Sequence, residues 1–185
     1  LRYNICHNTP IYARKQFFTR AYKARNTKKN KEMRGYATMI KILFICHGNI
    51  CRSTMSEYVM KYLIDQAGLA SEFYIDSAAT SREEIGNGVH HGTRQKLKEV
   101  GIPCGNHRAR QMMRRDYEEF DYIIGMDAWN IRNIMRIIGS DPEKKVSMLL
   151  DFTDRSGTEI ADPWYTGNFD ATYDDVLEGC TGLLE

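Results

Sequence analysis

The chain has 185 residues, a length typical of one domain, with or without an extension, and sufficient to bury a hydrophobic core. Hydrophobic residues make up 42% and aromatic residues 11%, which excludes wholesale disorder, and no apolar run approaches the roughly 18 residues of a membrane span. The net charge of +2 is unevenly distributed, because residues 1–39 carry ten Lys or Arg and one Glu, whereas the rest carries 16 basic and 23 acidic residues. We therefore expect a basic N-terminal extension over residues 1–38 and an acidic folded domain over residues 39–185.

The basic extension has no steady hydrophobic period, so we expect it to be disordered or foreign to the native protein. Its Arg-rich, acid-poor composition is also typical of a transit peptide, and its interleaved aromatic residues are compatible with a nucleic-acid arm. Regular patterning begins abruptly after Met39, which could be an initiator, and this favours the foreign-sequence interpretation. We expect no nucleic acid among the partners, because the chemistry described below lies wholly in the acidic part.

Strands and helices alternate from residue 40 onward. Ile40–Cys46 is a short apolar run that predicts a buried strand. Ser53–Ala67 places apolar residues on one helical face and is followed by Gly68, which suits a helix C-terminus. Phe73–Ala79 predicts a second strand and Thr93–Val100 a second helix.

The second half of the chain continues this alternation without a run of hairpins. Its predicted elements are, in order, a short helix ending at Tyr117–Phe120, a strand at Tyr122–Met126, a helix at Trp129–Ile138, a strand at Val146–Leu150, a long loop at Thr153–Gly167 and a helix at Asp170–Leu184. This order predicts a three-layer α/β fold with a four-stranded parallel sheet and helices on both faces, doubly wound as in flavodoxin-like folds. Such folds bind ligands at the carboxyl ends of strands, so the loop after the first strand is the first candidate site.

That loop joins the first strand to the N-terminus of the first helix. It consists of Cys46, His47, Gly48, Asn49, Ile50, Cys51, Arg52 and Ser53. A helix N-terminus offers free N–H groups to an anion, and Gly48 and Asn49 allow the backbone to turn its amides inward. Arg52 adds a planar guanidinium that can bind two phosphate oxygens.

Cys46 lies at the end of the strand beside these positive groups, which favour its thiolate form. A thiolate beneath a bound phosphate is a nucleophile for phosphorus, and Ser53 can donate a hydrogen bond to the sulfur. The bare Cys-x5-Arg spacing is unspecific, because Cys104 and Arg110 repeat it. Pro103 precedes Cys104 and no buried strand leads into it, so we interpret Cys104 as structural.

Three segments are informative together: Phe44–Ser53, Asp76–Ala79 and Asp162–Tyr165. In their order and spacing they resemble the motifs of the low-molecular-weight protein tyrosine phosphatase family. The resemblance covers about residues 40–185 and implies hydrolysis of phosphotyrosine through a cysteinyl-phosphate intermediate, with no metal and no cofactor. It also implies roles for individual residues. Cys46 would be the nucleophile, Arg52 would bind phosphate and stabilise the transition state, Asp162 would be the general acid, and Asn49, Ser53, Ser77 and His107 would support the loop.

Asp162 also has an argument of its own, because cleavage of an aryl phosphate needs a proton donor at the leaving oxygen. Pro163 favours an extended conformation at Asp162, and Trp164 and Tyr165 could form the walls of a slot for a phenyl ring. Without Cys46 and the family resemblance, Asp162 would be interpreted as an ordinary turn residue. Asp127 matches another family position near the site, although a helix N-cap explains it equally well.

The chain departs from the family pattern at two positions. Thr54 replaces the usual Pro, and Glu83 replaces a frequent aromatic residue, which removes one wall of the pocket and would repel acidic peptides. Cys51 resembles the family's redox partner, so oxidation would trap Cys46 as a disulfide and make the enzyme redox-sensitive. The alternative is that Cys51 is only a small loop residue.

Three other functions compete with tyrosine phosphatase activity. A protein arginine phosphatase of the same fold is disfavoured by Ile50, where that branch typically has Thr. An arsenate reductase needs two further closely spaced cysteines, and Cys104 and Cys180 are far apart. A catalytically silent phosphate-binding module is disfavoured by the intact Cys46, Arg52 and Asp162.

The remaining expectations concern partners, metals and compartment. We expect tyrosine-phosphorylated proteins or peptides as partners, no membrane span, and a monomer or weak dimer. Five irregularly spaced cysteines predict reduced thiols and a cytoplasmic protein. We expect His90 and His91 to lie in a solvated loop rather than bind a metal, because adjacent side chains point apart.

Overall fold

The computed structural model describes residues 39–185, so the predictions made for residues 1–38 lie outside the described residues. Within the described part, no helix is long and apolar enough to cross a membrane. The four strands are β1 (Ile40–Cys46), β2 (Phe73–Ala79), β3 (Tyr122–Gly125) and β4 (Val146–Met148). They pair in parallel in the order β2-β1-β3-β4, with Cys46 beside Ala79 at the carboxyl end of β1.

The helices follow the predicted order, with one additional α-helix and two 3-10 turns. The α-helices are α1 (Arg52–Gln66), α2 (His91–Glu99), α3 (Asp116–Glu119), α4 (Ala128–Ile138), α5 (Pro163–Thr166) and α6 (Phe169–Leu184), and two 3-10 turns span Ala70–Glu72 and Leu149–Phe152. The doubly wound α/β prediction is confirmed.

Two predicted boundaries in the second half were wrong. The strand predicted at Val146–Leu150 ends at Met148, because Asp151 accepts the Met148 N–H at 2.9 Å and the chain turns into a 3-10 helix. The loop predicted at Thr153–Gly167 contains α5, whose start is capped by the Asp162 side chain and whose end is set by Gly167 at φ +67°. Pro at the first helical position and Gly after the last one are typical helix boundaries.

The core lies on both faces of the sheet, and β1 supplies side chains to each. Phe44 and Cys46 face a cluster with Met55 and Val59 of α1, whereas Leu43 and Ile45 face the layer under α4. Complete burial of a side chain such as Phe44 stabilises the fold by about 1.5–3 kcal/mol. β1 pairs with β2 on one side and with β3 on the other, so the chain connections that leave the sheet on these two sides diverge at β1. The loop that follows β1 opens at this point.

Candidate active site

The loop between β1 and α1 folds around the Cys46 thiol. Ser53 Oγ lies 3.0 Å from Cys46 Sγ, and the Asn49 backbone N–H points at the same sulfur over 3.3 Å. Cys46 is 3% exposed, so these two groups form much of its polar environment. Asn49 adopts the left-handed conformation at φ +60°, as its short polar side chain permits.

The Asn49 side chain organises the hydrogen bonds beneath the sulfur. Its Nδ2 donates to Ser53 Oγ at 3.0 Å and to Ser77 Oγ at 2.8 Å, and its Oδ1 accepts the Arg110 N–H at 3.1 Å. Since the Ser53 oxygen already accepts from Asn49, its own proton is free to point at Cys46 Sγ. This geometry directs two hydrogen-bond donors at the sulfur.

A buried carboxylate, Glu57, closes the network on the far side of Asn49. Ser77 Oγ donates to Glu57 Oε2 at 2.5 Å, and Lys61 Nζ donates to Oε1 at 2.5 Å. His107 donates from Nε2 to the Asn49 carbonyl at 2.8 Å, while its Nδ1 lies 3.8 Å from Glu57. Glu57 was missed by sequence reasoning, and the Glu57–Lys61 spacing of four residues on a helix was its only local signal.

Residues 104–110, which repeat the cysteine–arginine spacing, contribute to this network. His107 and Arg110 both belong to the segment 104–110, and both contact Asn49. Cys104 is half-buried and its Sγ lies 4.0 Å from the Gly105 carbonyl. Burial raises the pKa of the Cys104 thiol, and the interpretation of Cys104 as a structural residue stays a prediction.

Arg52 is buried and lies between two carboxylates. Its Nη1 donates to Asp127 Oδ2 at 2.5 Å and to the Ile160 carbonyl at 3.1 Å, and its Nη2 donates to Asp162 Oδ2 at 2.5 Å. Burial alone would lower the pKa of Arg52, but the negative charges of Cys46, Asp162 and Asp127 outweigh it and raise that pKa. Arg52 Nε makes no hydrogen bond within residues 39–185.

In both Asp127 and Asp162, one carboxylate oxygen caps a helix and the other binds Arg52. Oδ1 of Asp127 caps α4 by accepting the Asn130 N–H at 2.6 Å, and Oδ1 of Asp162 caps α5 by accepting the Trp164 N–H at 3.1 Å. The second oxygen of each binds Arg52. Both interpretations of Asp127, a helix cap and a site residue, therefore agree with the structure.

A cavity of about 560 Å³ opens beside these groups. Its walls include His47, Arg52, Trp129, Asp162 and Tyr165. The Tyr165 side chain is 84% exposed, so it has room to change position when a ligand binds. Trp129 was missed as a wall residue, because the sequence pattern assigned it only to a helix.

Trp164 and Glu83, the other two residues predicted at the pocket wall, are not among the described residues that line this cavity. Trp164 sets the edge of its ring against His90, with centroids 5.6 Å apart. Glu83 contacts a lining residue, with its Oε2 3.0 Å from His47 Nε2.

The structure does not place His90 in a solvated loop. His90 Nδ1 accepts the Gly92 N–H and caps α2, and the ring stacks on Phe169 with centroids 5.4 Å apart. Burial, reinforced by His91, lowers the pKa of His90, which favours the neutral ring. No group of three His, Cys, Asp or Glu residues in the described part of the chain could hold a metal ion.

Cys51 and Ile50 turn inward beneath the loop, where both pack with Ala109 and Phe169. Burial, followed by the nearby negative charges of Cys46 and Asp162, raises the pKa of the Cys51 thiol to about 12. Cys51 is therefore a protonated thiol at neutral pH. The effect of Ile50 on the choice between phosphotyrosine and phosphoarginine stays a prediction.

Comparison with known proteins agrees with this geometry. The family model described as "Low molecular weight phosphotyrosine protein phosphatase" matches residues 41–185, and the chain belongs to that family. It is 40% identical over 147 residues to the low molecular weight protein-tyrosine-phosphatase YfkJ of Bacillus subtilis, covering 79% of this chain and 94% of that protein. The corresponding chicken phosphatase is 37% identical over 149 residues, covering 78% and 93%.

Solved structures show the same fold. The crystal structure of YfkJ superposes with a TM-score of 0.77 at 39% identity, covering 82% of this chain and 95% of that one. The crystal structure of DARP, a Drosophila arginine phosphatase, superposes with a TM-score of 0.70 at 30% identity, covering 78% and 96%.

Proposed function

We propose that this chain is a protein tyrosine phosphatase that hydrolyses phosphotyrosine in proteins or peptides through a cysteinyl-phosphate intermediate. The observation that carries the proposal is the grouping of a nucleophile, a phosphate-binding cation and a proton donor. Cys46 Sγ is hydrogen-bonded by Ser53 and by the loop backbone, and Arg52 joins the loop to Asp162. Family membership supports the same assignment.

In the first step, Cys46 attacks phosphorus as a thiolate, a sulfur–phosphorus bond forms, and the bond from phosphorus to the phenolic oxygen breaks. Asp162, protonated at this stage, gives its proton to the leaving oxygen so that tyrosine departs neutral. Arg52 and the free N–H groups at the start of α1 hold the phosphoryl oxygens, and Arg52 Nε is a donor available for them.

In the second step, the Asp162 carboxylate accepts a proton from water as the water oxygen attacks the cysteinyl phosphate. The sulfur–phosphorus bond breaks, inorganic phosphate leaves, and the electron pair returns to Cys46 as a thiolate. Ser53 stabilises this leaving thiolate by donating to Sγ. One carboxyl thus acts first as acid and then as base.

Two finer features belong to this proposal. Oxidation of the Cys46 and Cys51 thiols by a peroxide, with loss of two electrons and two protons, would form a disulfide that a thiol reductant reverses. Four cysteines of the described chain are free thiols, as is typical of a reducing compartment, and we assign the protein to the cytoplasm. Peroxide inactivation that dithiothreitol reverses in the wild type, but not in Cys51→Ser, would support the redox pair.

A second candidate reaction is hydrolysis of phosphoarginine, because a relative of known structure is named an arginine phosphatase. The arsenate reductase alternative is weaker, since Cys180 is fully buried under α1 and its Sγ lies 3.7 Å from the Ser56 carbonyl. A thiol enclosed in the core cannot take part in disulfide exchange at the surface.

The deciding experiment compares four compounds as substrates: p-nitrophenyl phosphate, a phosphotyrosine peptide, a phosphoarginine peptide and arsenate. We expect hydrolysis of the first two, loss of that hydrolysis in Cys46→Ser, and no effect of EDTA. Aryl phosphatase activity that survives in Cys46→Ser would contradict the mechanism. Faster turnover of the phosphoarginine peptide than of the phosphotyrosine peptide would favour the second candidate.

A further inference from the structure

A second cavity adjoins the one that contains Arg52 and Asp162. It has a volume of about 520 Å³ and lies on the other side of the first turn of α4. Trp129 lines the first cavity and Ala128 lines the second, so consecutive residues separate them. The two cavities therefore share a wall, and an extended peptide seated in the first would cover about 10 Å in three residues, enough to reach into the second.

The walls of the second cavity combine apolar side chains with one cation, Arg132, and one carboxylate, Asp151. Ile131 of α4 and Val146 and Met148 of β4 supply the apolar part. β4 is one of the two edge strands of the sheet. Arg132 lines the same cavity and holds its guanidinium 4.7 Å from the centroid of the Trp129 ring, which connects the two cavities.

The charged side chains around the two cavities differ in whether they already have a hydrogen-bond or ion-pair partner. Asp127 and Asp162 bind Arg52, and Asp151, which also lines the second cavity, accepts the N–H groups of Met148 and Gly157.

Glu159, a wall residue of the first cavity, accepts the Ala128 N–H at 2.9 Å. By contrast, Arg132 and Arg136 contact the Trp129 ring and form no ion pair with a carboxylate of residues 39–185. Arg132 and Arg136 therefore keep guanidinium donors for the carboxylate of a ligand, whereas the oxygens of Asp151 are already bonded to backbone N–H groups.

We propose that the second cavity is a subsite for an acidic side chain that lies within three residues of the phosphotyrosine in the substrate. The proposal rests on the proposed function. The apolar wall would contact the methylene groups of a Glu side chain, and Arg132 would bind its carboxylate. Glu83 lies after β2, on the opposite side of β1 in the sheet, and is paired with His47, so its repulsion acts on the other flank of the peptide.

Two phosphotyrosine peptides of equal length test this subsite, one with Glu and the other with Lys at the three positions on each side of the phosphotyrosine. We expect the wild type to show a higher kcat/KM for the Glu peptide, with the preference falling as salt rises. Arg132→Glu should lower the Glu-to-Lys ratio by about fivefold, and Arg132→Lys should retain most of it. The ratio does not depend on the folded fraction of a preparation.

Lys98→Glu is the matched control, because it makes the same change in net charge at an exposed position in the last turn of α2. The proposal is overturned if the wild type does not prefer the Glu peptide, or if Arg132→Glu and Lys98→Glu lower the ratio equally. Failure of the proposed function would look different, since the wild type would then hydrolyse neither peptide.

Discussion

The Arg52 guanidinium contacts the Asp162 carboxylate directly, with Nη2 2.5 Å from Oδ2. Under the proposed function these groups have different tasks, because Arg52 binds phosphate oxygens and Asp162 transfers a proton. While Nη2 is bound to Asp162, a phosphate must compete with that carboxylate for the same donor. Asp162 therefore promotes catalysis while opposing the binding of phosphate.

The first prediction separates these two effects with Asp162→Ala. Loss of the proton donor should lower kcat for a phosphotyrosine peptide by about 10²–10⁴-fold. Inorganic phosphate should nevertheless inhibit the variant at a lower Ki than the wild type, because Arg52 Nη2 is released. Steady-state kinetics with phosphate as competitive inhibitor measures both quantities.

Asp162→Asn provides the control, since its amide oxygen can still cap α5 at the Trp164 N–H. It should lose kcat to a similar extent without loosening the helix. A rise in the phosphate Ki in both variants would contradict the competition and indicate that Asp162 holds Arg52 in its binding position.

The second prediction concerns Asn49, which combines a strained backbone with several hydrogen bonds. Asn49→Gly removes the side-chain bonds to Ser53, Ser77 and the Arg110 N–H but tolerates φ +60°, whereas Asn49→Ala removes them and also strains the backbone. We expect Asn49→Ala to reduce the free energy of unfolding by about 1 kcal/mol more than Asn49→Gly. Urea unfolding of both variants checks this difference, and equal stabilities would show that the backbone conformation relaxes.

The third prediction tests the role of Asp127 as the N-terminal cap of α4. Asp127→Ala removes the cap of α4 at the Asn130 N–H and should lower the free energy of unfolding by about 1 kcal/mol or more. Asp127→Asn keeps an oxygen at the cap and should cost less. Thermal or urea unfolding compares the two variants, and equal losses would mean that the ion pair with Arg52, which both variants lack, contributes more than the cap.

The elements that could be predicted from sequence are those whose signals are local. The apolar run of β1, the polar loop from Cys46 to Ser53 and the helix after it follow one another directly, so the position of the candidate site could be inferred without the structure. The signal for α5 was also local, in the order Asp162-Pro163 followed by Gly167, but was missed because four helical residues make almost no hydrophobic pattern.

The contacts that could not be predicted join residues far apart in the chain. Arg52 is 75 positions from Asp127 and 110 from Asp162, so their pairing depends on how the strands assemble rather than on any local pattern. Glu57 is buried only because Ser77 and Lys61 satisfy its carboxylate. Trp129 lines the cavity because α4 begins at its rim, and its place in the helix reveals nothing about what it faces.

The last prediction follows from Cys51. Burial, followed by the negative charges of Cys46 and Asp162, raises the pKa of its thiol from 9.0 to about 12, so the folded state retains a proton that the unfolded chain loses above pH 9. The contribution of the protonated Cys51 thiol to the free energy of unfolding is therefore fully present below pH 9. It is lost as pH rises towards 12, at about 1.4 kcal/mol per pH unit for this one group. Urea unfolding under reducing conditions between pH 8 and about pH 11 should show a shallower decline in Cys51→Ala and Cys51→Ser than in the wild type. Because both variants lack the titrating thiol but differ in size and polarity, an unchanged slope in both would show that Cys51 does not carry this pH dependence.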